Sequence, residues 1–219
     1  MPSRVIAIGD VHGCATALRR MLELIAPNPN DTLVILGDCI DRGPDSRGVI
    51  DQVLALRKQC ELVCILGNHE EMMLNFLDGR WQPDDWLECG GLATLKSYTS
   101  RRDQKDIPSD HVDFIRTWID CYQTDTHFFV HASYEPERLL EEQRPQTLRW
   151  HSLRDWVPEP HESGKIAVVG HTSLKDGEIL DLGHLVCIDT YCWGGGWLTA
   201  LDVSTGETWQ IDREGRLRQ

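Results

Sequence analysis

Three short apolar runs in the first 70 residues each end abruptly on a glycine followed by a potential metal donor. Val5-Ile6-Ala7-Ile8 stops at Gly9-Asp10, Leu33-Val34-Ile35-Leu36 at Gly37-Asp38, and Leu62 to Leu66 at Gly67-Asn68. Apolar runs this short, without polar alternation, predict strands covered on both faces, as in parallel sheets. The intervening stretches carry helical spacing. Leu18, Met21, Leu22 and Ile25 fall on one helical face before Pro27, and Ile50, Val53, Leu54 and Leu56 follow Asp45, a suitable N-cap just after Gly43-Pro44. Strand–helix–strand–helix–strand implies right-handed crossovers and a mostly parallel sheet, hence an α/β chain.

Residues 70–126 depart from that rhythm. Glu70 to Leu77 reads as a helix, 79–85 as a turn-rich break with Trp81 and Pro83, and Leu92 to Tyr98 and Val112 to Tyr122 as further helices. The charged stretch Arg101 to Asp106 separates the last two. This is a helical excursion from the sheet, either covering a sheet face or forming a specificity surface in which Trp81 and Trp86 would set substrate preference. Strands return at 127–130, 166–169, 185–188, 197–203 and 208–211, and turns at Asp176-Gly177, Thr205-Gly206 and Glu214-Gly215 predict antiparallel pairing for this end. At 219 residues the expectation is one domain spanning 1–219.

The formal net charge of −13 argues against nucleic acid as the main partner, because a phosphate-backbone reader needs a basic surface. It leaves a phosphate substrate open, because bound divalent cations invert the local field. No apolar run approaches the roughly 20 residues that cross a bilayer, and Met1-Pro2-Ser3-Arg4 opens no signal-peptide pattern, so a cytoplasmic protein is expected. The eight cysteines include no Cys-x-x-Cys pair, and several sit inside apolar runs, as small buried thiols do.

Chelating side chains recur at the strand ends: Asp10 and His12, then Asp38, then Asn68 and His69, then His131 after 127–130 and His171 after 166–169. A lone Asp or Asn after a strand is ordinarily a turn or cap residue. Five strand ends bearing donors in succession are not explained by caps. The remaining histidines, at 111, 127, 151, 161 and 184, are assigned no role. Oxygen and imidazole donors without an obligatory thiolate suit Mn, Fe, Zn or Mg. A bridging carboxylate would let two such ions approach to about 3.5–4 Å, activate water and clamp substrate oxygens.

Gly9-Asp10-Val11-His12-Gly13, Gly37-Asp38-Cys39-Ile40-Asp41-Arg42-Gly43 and Gly67-Asn68-His69-Glu70 resemble the three signature blocks of the phosphoprotein phosphatases in the calcineurin-like metallophosphoesterase superfamily. Phe129-Val130-His131-Ala132 and Val169-Gly170-His171-Thr172 resemble its two downstream histidine blocks, so the likeness runs from residue 5 to about 173. The resemblance implies a central β-sandwich flanked by helices, with ligands on loops at one end. It implies two divalent ions, Mn²⁺ first among them: Asp10, His12 and Asp38 on one, Asp38, Asn68, His131 and His171 on the other, with Asp38 as bridge. Metal-held water would attack phosphorus directly, with no phosphoenzyme. His69 would give a proton to the leaving oxygen, oriented by Asp41, since a carboxylate beside an imidazole favours its protonated form. Arg42 would hold phosphate oxygens through its planar fork.

The family carries a second arginine after a tryptophan between the histidine blocks. Leu148-Arg149-Trp150-His151-Ser152-Leu153-Arg154 fills that interval, which makes Arg154 the first choice for the second clamp and Arg149 the alternative. Two departures stand out. The His131 block continues Ala132-Ser133, and 189–197 replaces the terminal block of the eukaryotic enzymes, so no regulatory subunit is inferable. The implied substrates are phosphoserine and phosphothreonine in phosphoproteins or phosphopeptides, with neither nucleic acid nor membrane as partner. The alternative is a symmetrical diadenosine tetraphosphate hydrolase, which shares the opening Gly-Asp-Val-His-Gly-Cys.

Overall fold

The computed structural model describes residues 3–99 and 107–219. Strands β1 (Val5–Ile8), β2 (Thr32–Ile35) and β3 (Glu61–Cys64) pair in parallel, joined by helices α1 (Ala15–Ile25) and α2 (Ser46–Leu56). Helix α1 stops because Ala26 turns left-handed ahead of Pro27, and α2 starts where the Asp45 carboxylate accepts the Gly48 N–H at 2.8 Å. Helix α3 (Asn68–Leu77) follows β3 directly.

The excursion is helical, with two corrections to its expected limits. The break at 79–85 holds a short helix α4 (Pro83–Trp86), which runs through a π turn at Leu87–Gly91 into α5 (Leu92–Thr99). Gly90, at φ 119°, makes that kink. Helix α6 covers Ser109–Ile115 rather than reaching Tyr122, which lies in strand β4 (Cys121–Gln123). Ile119 bridges Ile65 and Tyr122 pairs with Phe129 at a sheet edge beside β5 (His127–Val130), where tertiary pairing overrides the helical spacing. The Arg101–Asp106 stretch lies outside the described residues.

A 310 turn at Leu140–Glu142 and helix α7 (Pro145–Trp150) lead to β6 (Ile166–Val169), β7 (Leu180–Asp181) and β8 (Leu185–Cys187). The chain ends in β9 (Leu198–Asp202) and β10 (Thr208–Ile211). The expected antiparallel end holds for β9 and β10 and for β9 against β1, but β5, β6 and β8 are parallel. The connections 131–165 and 170–184 are long enough to cross over, and the Asp176-Gly177 turn belongs to the second rather than to a hairpin.

Two five-stranded sheets result, ordered β10-β9-β1-β2-β3 and β4-β5-β6-β8-β7. Ala7, Val34, Leu36 and Ile65 of the first meet Phe129, Val168 and Ile188 of the second in the layer between them. On the opposite face of the first sheet, Ile6, Ile8, Leu33 and Ile35 pack under α1 and α2 through Leu18, Met21, Val49 and Val53. Phe128, Val130, Ala167 and Val169 face Tyr134, Leu140 and Leu148 beyond the second. This is an α/β sandwich with helices outside. The two-sided burial explains the unbroken apolar runs, since each fully buried aliphatic side chain contributes about 1.5–3 kcal/mol. No helix among the described residues is long and apolar enough to cross a membrane.

Candidate metal centre

The loops after β1, β2, β3, β5 and β6 converge at one end of the sandwich. Asp38 sits at their centre, 2% exposed, with its two oxygens facing different histidines. Oδ2 lies 3.5 Å from His12 Nε2 and 3.9 Å from His69 Nε2, and Oδ1 lies 3.4 Å from His131 Nε2. The Asn68 Oδ1 is 3.0 Å from both His131 Nε2 and His171 Nδ1. Two groups could therefore hold a cation, His12-Asp38-His69 and Asp38-His131-His171. Asp10, expected as a ligand, is in neither group; it is buried beside them, its carboxylate accepting the His171 backbone N–H at 3.1 and 3.2 Å.

Backbone carbonyls fix the rings. His12 Nδ1 donates to Ile40 O at 2.9 Å, His131 Nδ1 to Leu36 O at 2.7 Å and His171 Nε2 to Trp150 O at 3.1 Å. Each leaves its other nitrogen directed at the centre, the arrangement that orients metal-binding imidazoles. Burial, with the neighbouring His69 charge, holds His12 well below the usual histidine range. Burial and His131 hold His171 at about 4. Both are thus neutral donors at pH near 7, the form a metal requires. Burial opposes charge on Asp38, but His131, His69 and His12 outweigh it and keep the carboxylate well below its ordinary range.

The donor set fits divalent cations on the evidence of its own buried charges. Asp10 is 3% exposed and Asp189 1%, and burial first, then their mutual repulsion with Asp38, push Asp10 well upward. Clustered buried carboxylates of this kind are paired or coordinate metals. The packing leaves no slack around them. A Cβ at Gly67 would collide with Asp38 Oδ1 and its backbone N, and one at Gly170 with Asp10 Oδ1. Seven described non-glycine residues have left-handed backbone, and five of them are His12, Asp38, Asp41, Arg42 and His171. Such conformations cost about 1–3 kcal/mol each and persist where surrounding structure enforces them, typically at functional sites.

Beside the centre, His69 Nδ1 and Asp41 Oδ2 are 2.7 Å apart. Asp41 is fully buried and takes two more donors, Trp86 Nε1 at 2.8 Å and Thr94 Oγ1 at 2.6 Å. Its own N–H reaches Ser46 Oγ and Thr94 Oγ1. Of the two readings of Trp86, the structure takes the core one: the ring is fully buried, and its N–H joins the excursion to Asp41. Trp81 instead packs against Trp150, with ring centroids 5.9 Å apart.

Arg42 lies against the centre, its Nη1 2.7 Å from His12 Nε2 and its guanidinium 5.1 Å from the Trp193 ring centroid. The two downstream arginines part company. Arg149 bonds Glu71 at 2.7 Å and Asp120 at 2.6 Å, tying α7 to α3 and to the approach to β4. Arg154 instead lines an open cleft of about 490 Å³ together with Arg42, Ser173, Lys175, Tyr191 and Trp193. Its Nη2 donates to the Ser173 carbonyl.

Glu70 escaped the sequence reading although it stands in the quoted Gly67-Asn68-His69-Glu70 block. Fully buried in the first turn of α3, it accepts the N–H groups of Asp38 at 2.9 Å, Cys39 at 2.8 Å and Ile40 at 3.3 Å. Asp189 was also missed; Ser173 Oγ and the Tyr191 N–H donate to it. Only its place beside Asp10 in space reveals it. All eight cysteines are free thiols; Cys64 and Cys187 are buried as their apolar runs predict, and Cys14, Cys39 and Cys192 are buried as well.

Comparison with known proteins agrees with this geometry. Residues 3–195 match the model of the calcineurin-like phosphoesterase family. The chain is 31% identical to serine/threonine-protein phosphatase 1 of Salmonella typhimurium, across 89% of each chain. It is 27% identical to an asymmetrical bis(5'-nucleosyl)-tetraphosphatase of Oceanobacillus iheyensis, across 90% of this chain and 87% of that one. A cold-active protein tyrosine phosphatase shares the fold at a TM-score of 0.67 and 17% identity, covering all of this chain and 78% of the other. With the Asp38-centred donors, the His69–Asp41 pair and Arg42 arranged as described, the chain belongs to the calcineurin-like metallophosphoesterases and is a metal-dependent phosphoester hydrolase.

Proposed function

We propose that this chain is a phosphomonoesterase acting on phosphoserine and phosphothreonine in proteins. The observation that carries the reading is the open cleft in which Arg42 and Arg154 stand together beside the Asp38 centre. Two guanidinium groups suit a terminal phosphate, whose free oxygens gain charge in the transition state. An open groove suits a residue presented on a protein surface.

Asp10, His12 and Asp38 would hold one cation, and Asp38, Asn68, His131 and His171 would hold the other. The opposed oxygens of Asp38, one toward His12 and one toward His131, support its bridging role. Bound there, Mn²⁺ or a similar ion pair supplies charge neutralisation and an activated water. His69 gives the proton on Nε2 to the leaving seryl or threonyl oxygen. Asp41 keeps the proton on Nδ1 and holds the ring in line, with Trp86 and Thr94 fixing the carboxylate. Arg42 and Arg154 bind the equatorial oxygens; Arg149, already committed to Glu71 and Asp120, does not.

Dinucleoside tetraphosphate hydrolysis is the second reading, favoured by the near full-length similarity to a tetraphosphatase and by the Gly9 to Cys14 opening. Steady-state assays of the Mn²⁺-loaded enzyme on phosphoserine peptides and on diadenosine tetraphosphate separate the two. Turnover of peptides at higher kcat/KM is expected, and turnover of the dinucleotide alone would reverse the ranking.

A further inference from the structure

The cleft beside the metal centre carries more positive charge than one phosphate requires. Arg42, Arg154 and Lys175 all line it, against Glu88 as its one acidic residue, in a chain of net charge −13. Among the described residues, none of the three cations pairs with a carboxylate. Arg42 lies over Trp193, Lys175 has its Nζ 5.8 Å from the Tyr191 ring centroid, and Arg154 spends one donor on the Ser173 carbonyl. Aromatic faces and a carbonyl position these charges without neutralising them, so they remain available to an anion.

Lys175 is held on a rigid segment. Four residues upstream, the His171 N–H is bonded to Asp10; Thr172 Oγ1 accepts the Leu153 N–H at 2.9 Å; and the Leu174 N–H donates to Asp189 O at 2.8 Å. A further bond, Gly177 N–H to Leu174 O at 3.0 Å, closes the turn around Lys175. The Lys175 backbone is therefore registered to the metal centre, and its side chain lines the cleft together with Cys89 and Gly90. Tyr191 and Trp193 stand edge to face, centroids 5.1 Å apart, making a continuous floor from Arg42 to Lys175.

We infer that Lys175, seated on Tyr191, forms a second anion subsite that recognises a carboxylate flanking the phosphorylated residue, and so selects acidic phosphopeptides. The inference rests on the proposed protein phosphatase activity. An exposed charge pair of this kind shifts affinity by a few-fold, and more on charge reversal.

The test compares kcat/KM of the Mn²⁺-loaded enzyme for two phosphoserine peptides, one flanked by aspartates and one by asparagines, at low salt. The wild-type ratio of acidic to neutral peptide is expected at about 3–10. Lys175→Met should bring it to about 1, Lys175→Glu below 1, and Lys175→Arg should restore most of it. The wild-type preference should also shrink at about 0.5 M salt, where the Debye length falls below about 5 Å. Hydrolysis of both peptides at a ratio that Lys175→Glu leaves unchanged overturns the subsite alone. Hydrolysis of p-nitrophenyl phosphate but of neither peptide overturns the subsite together with the protein phosphatase reading. A Lys175→Glu effect that appears in the dinucleotide KM instead assigns the same cation to a polyphosphate chain and overturns the peptide selection.

Discussion

Replacing Trp86 by phenylalanine isolates what the helical excursion contributes to the chemistry. The indole N–H is one of three side-chain donors on Asp41, at 2.8 Å, and the ring is fully buried against Phe76. Losing a hydrogen bond to a buried charged acceptor costs about 1.5–3 kcal/mol. The smaller ring leaves a void worth about 1 kcal/mol more. A stability loss of about 2.5–4 kcal/mol follows, which at about 2–4 °C per kcal/mol for a chain of this size lowers Tm by roughly 5–15 °C. The functional effect is separable. With Trp86 gone, the Asp41 carboxylate keeps only Thr94 and His69 as side-chain partners, and the imidazole loses its fixed direction. We expect kcat on a phosphoserine peptide to fall about 10-fold with bound metal unchanged, and less on p-nitrophenyl phosphate, whose leaving group needs little protonation. The decisive assay is a double-mutant cycle with Asp41→Asn, read in kcat. Coupling of at least about 1 kcal/mol is expected for groups in direct contact. Additive losses, or an altered preference among peptides at unaltered kcat, would refute a positioning role for Trp86.

His69→Asn should keep both metals while lowering kcat on phosphoserine peptides about 10²–10⁴-fold; an equal loss on p-nitrophenyl phosphate would count against proton donation. Glu70→Gln removes one of two oxygens that hold the 38–40 backbone and should weaken Mn²⁺ binding about 10–100-fold, measured by calorimetric titration; unchanged affinity would show that the loop holds itself. Buried Asp31 is held at about 2 by its hydrogen bond to Arg4, against the desolvation that opposes its charge. A depressed folded value contributes stability above pH about 4 that is lost as pH falls through about 2, here about 1–2 kcal/mol after screening around the partly exposed Arg4. Denaturant unfolding at pH about 5 and about 3 should show roughly half of that loss in the wild type and less in Asp31→Asn; identical pH dependence would remove Asp31 from the account.

The local record in the sequence reached far for a simple reason. Strands buried on both faces must be apolar throughout, and donors fixed at their ends must follow them directly, so Val5–Ile8 with Asp10 and Thr32–Ile35 with Asp38 are written contiguously. The parallel core, α1, α2 and the order of the strand-end donors were legible on that ground. Pairing partners were not. The direction of β5 against β6 and β8 depends on how long connections fold back, and no residue in those strands encodes it. Helical spacing at 112–122 likewise yielded where Tyr122 found a strand partner in Phe129. At the site, side chains that act across long sequence separations became visible only in three dimensions. Trp86 meets Asp41 across 45 residues, and Asp189 closes on Asp10 from the far end of the chain. That Arg149 is paired with Glu71 and Asp120 while Arg154 lines the cleft is likewise visible only in the fold. Sequence fixes what each residue can offer chemically; only the folded chain decides which offers are taken up by protein and which are left facing the cleft.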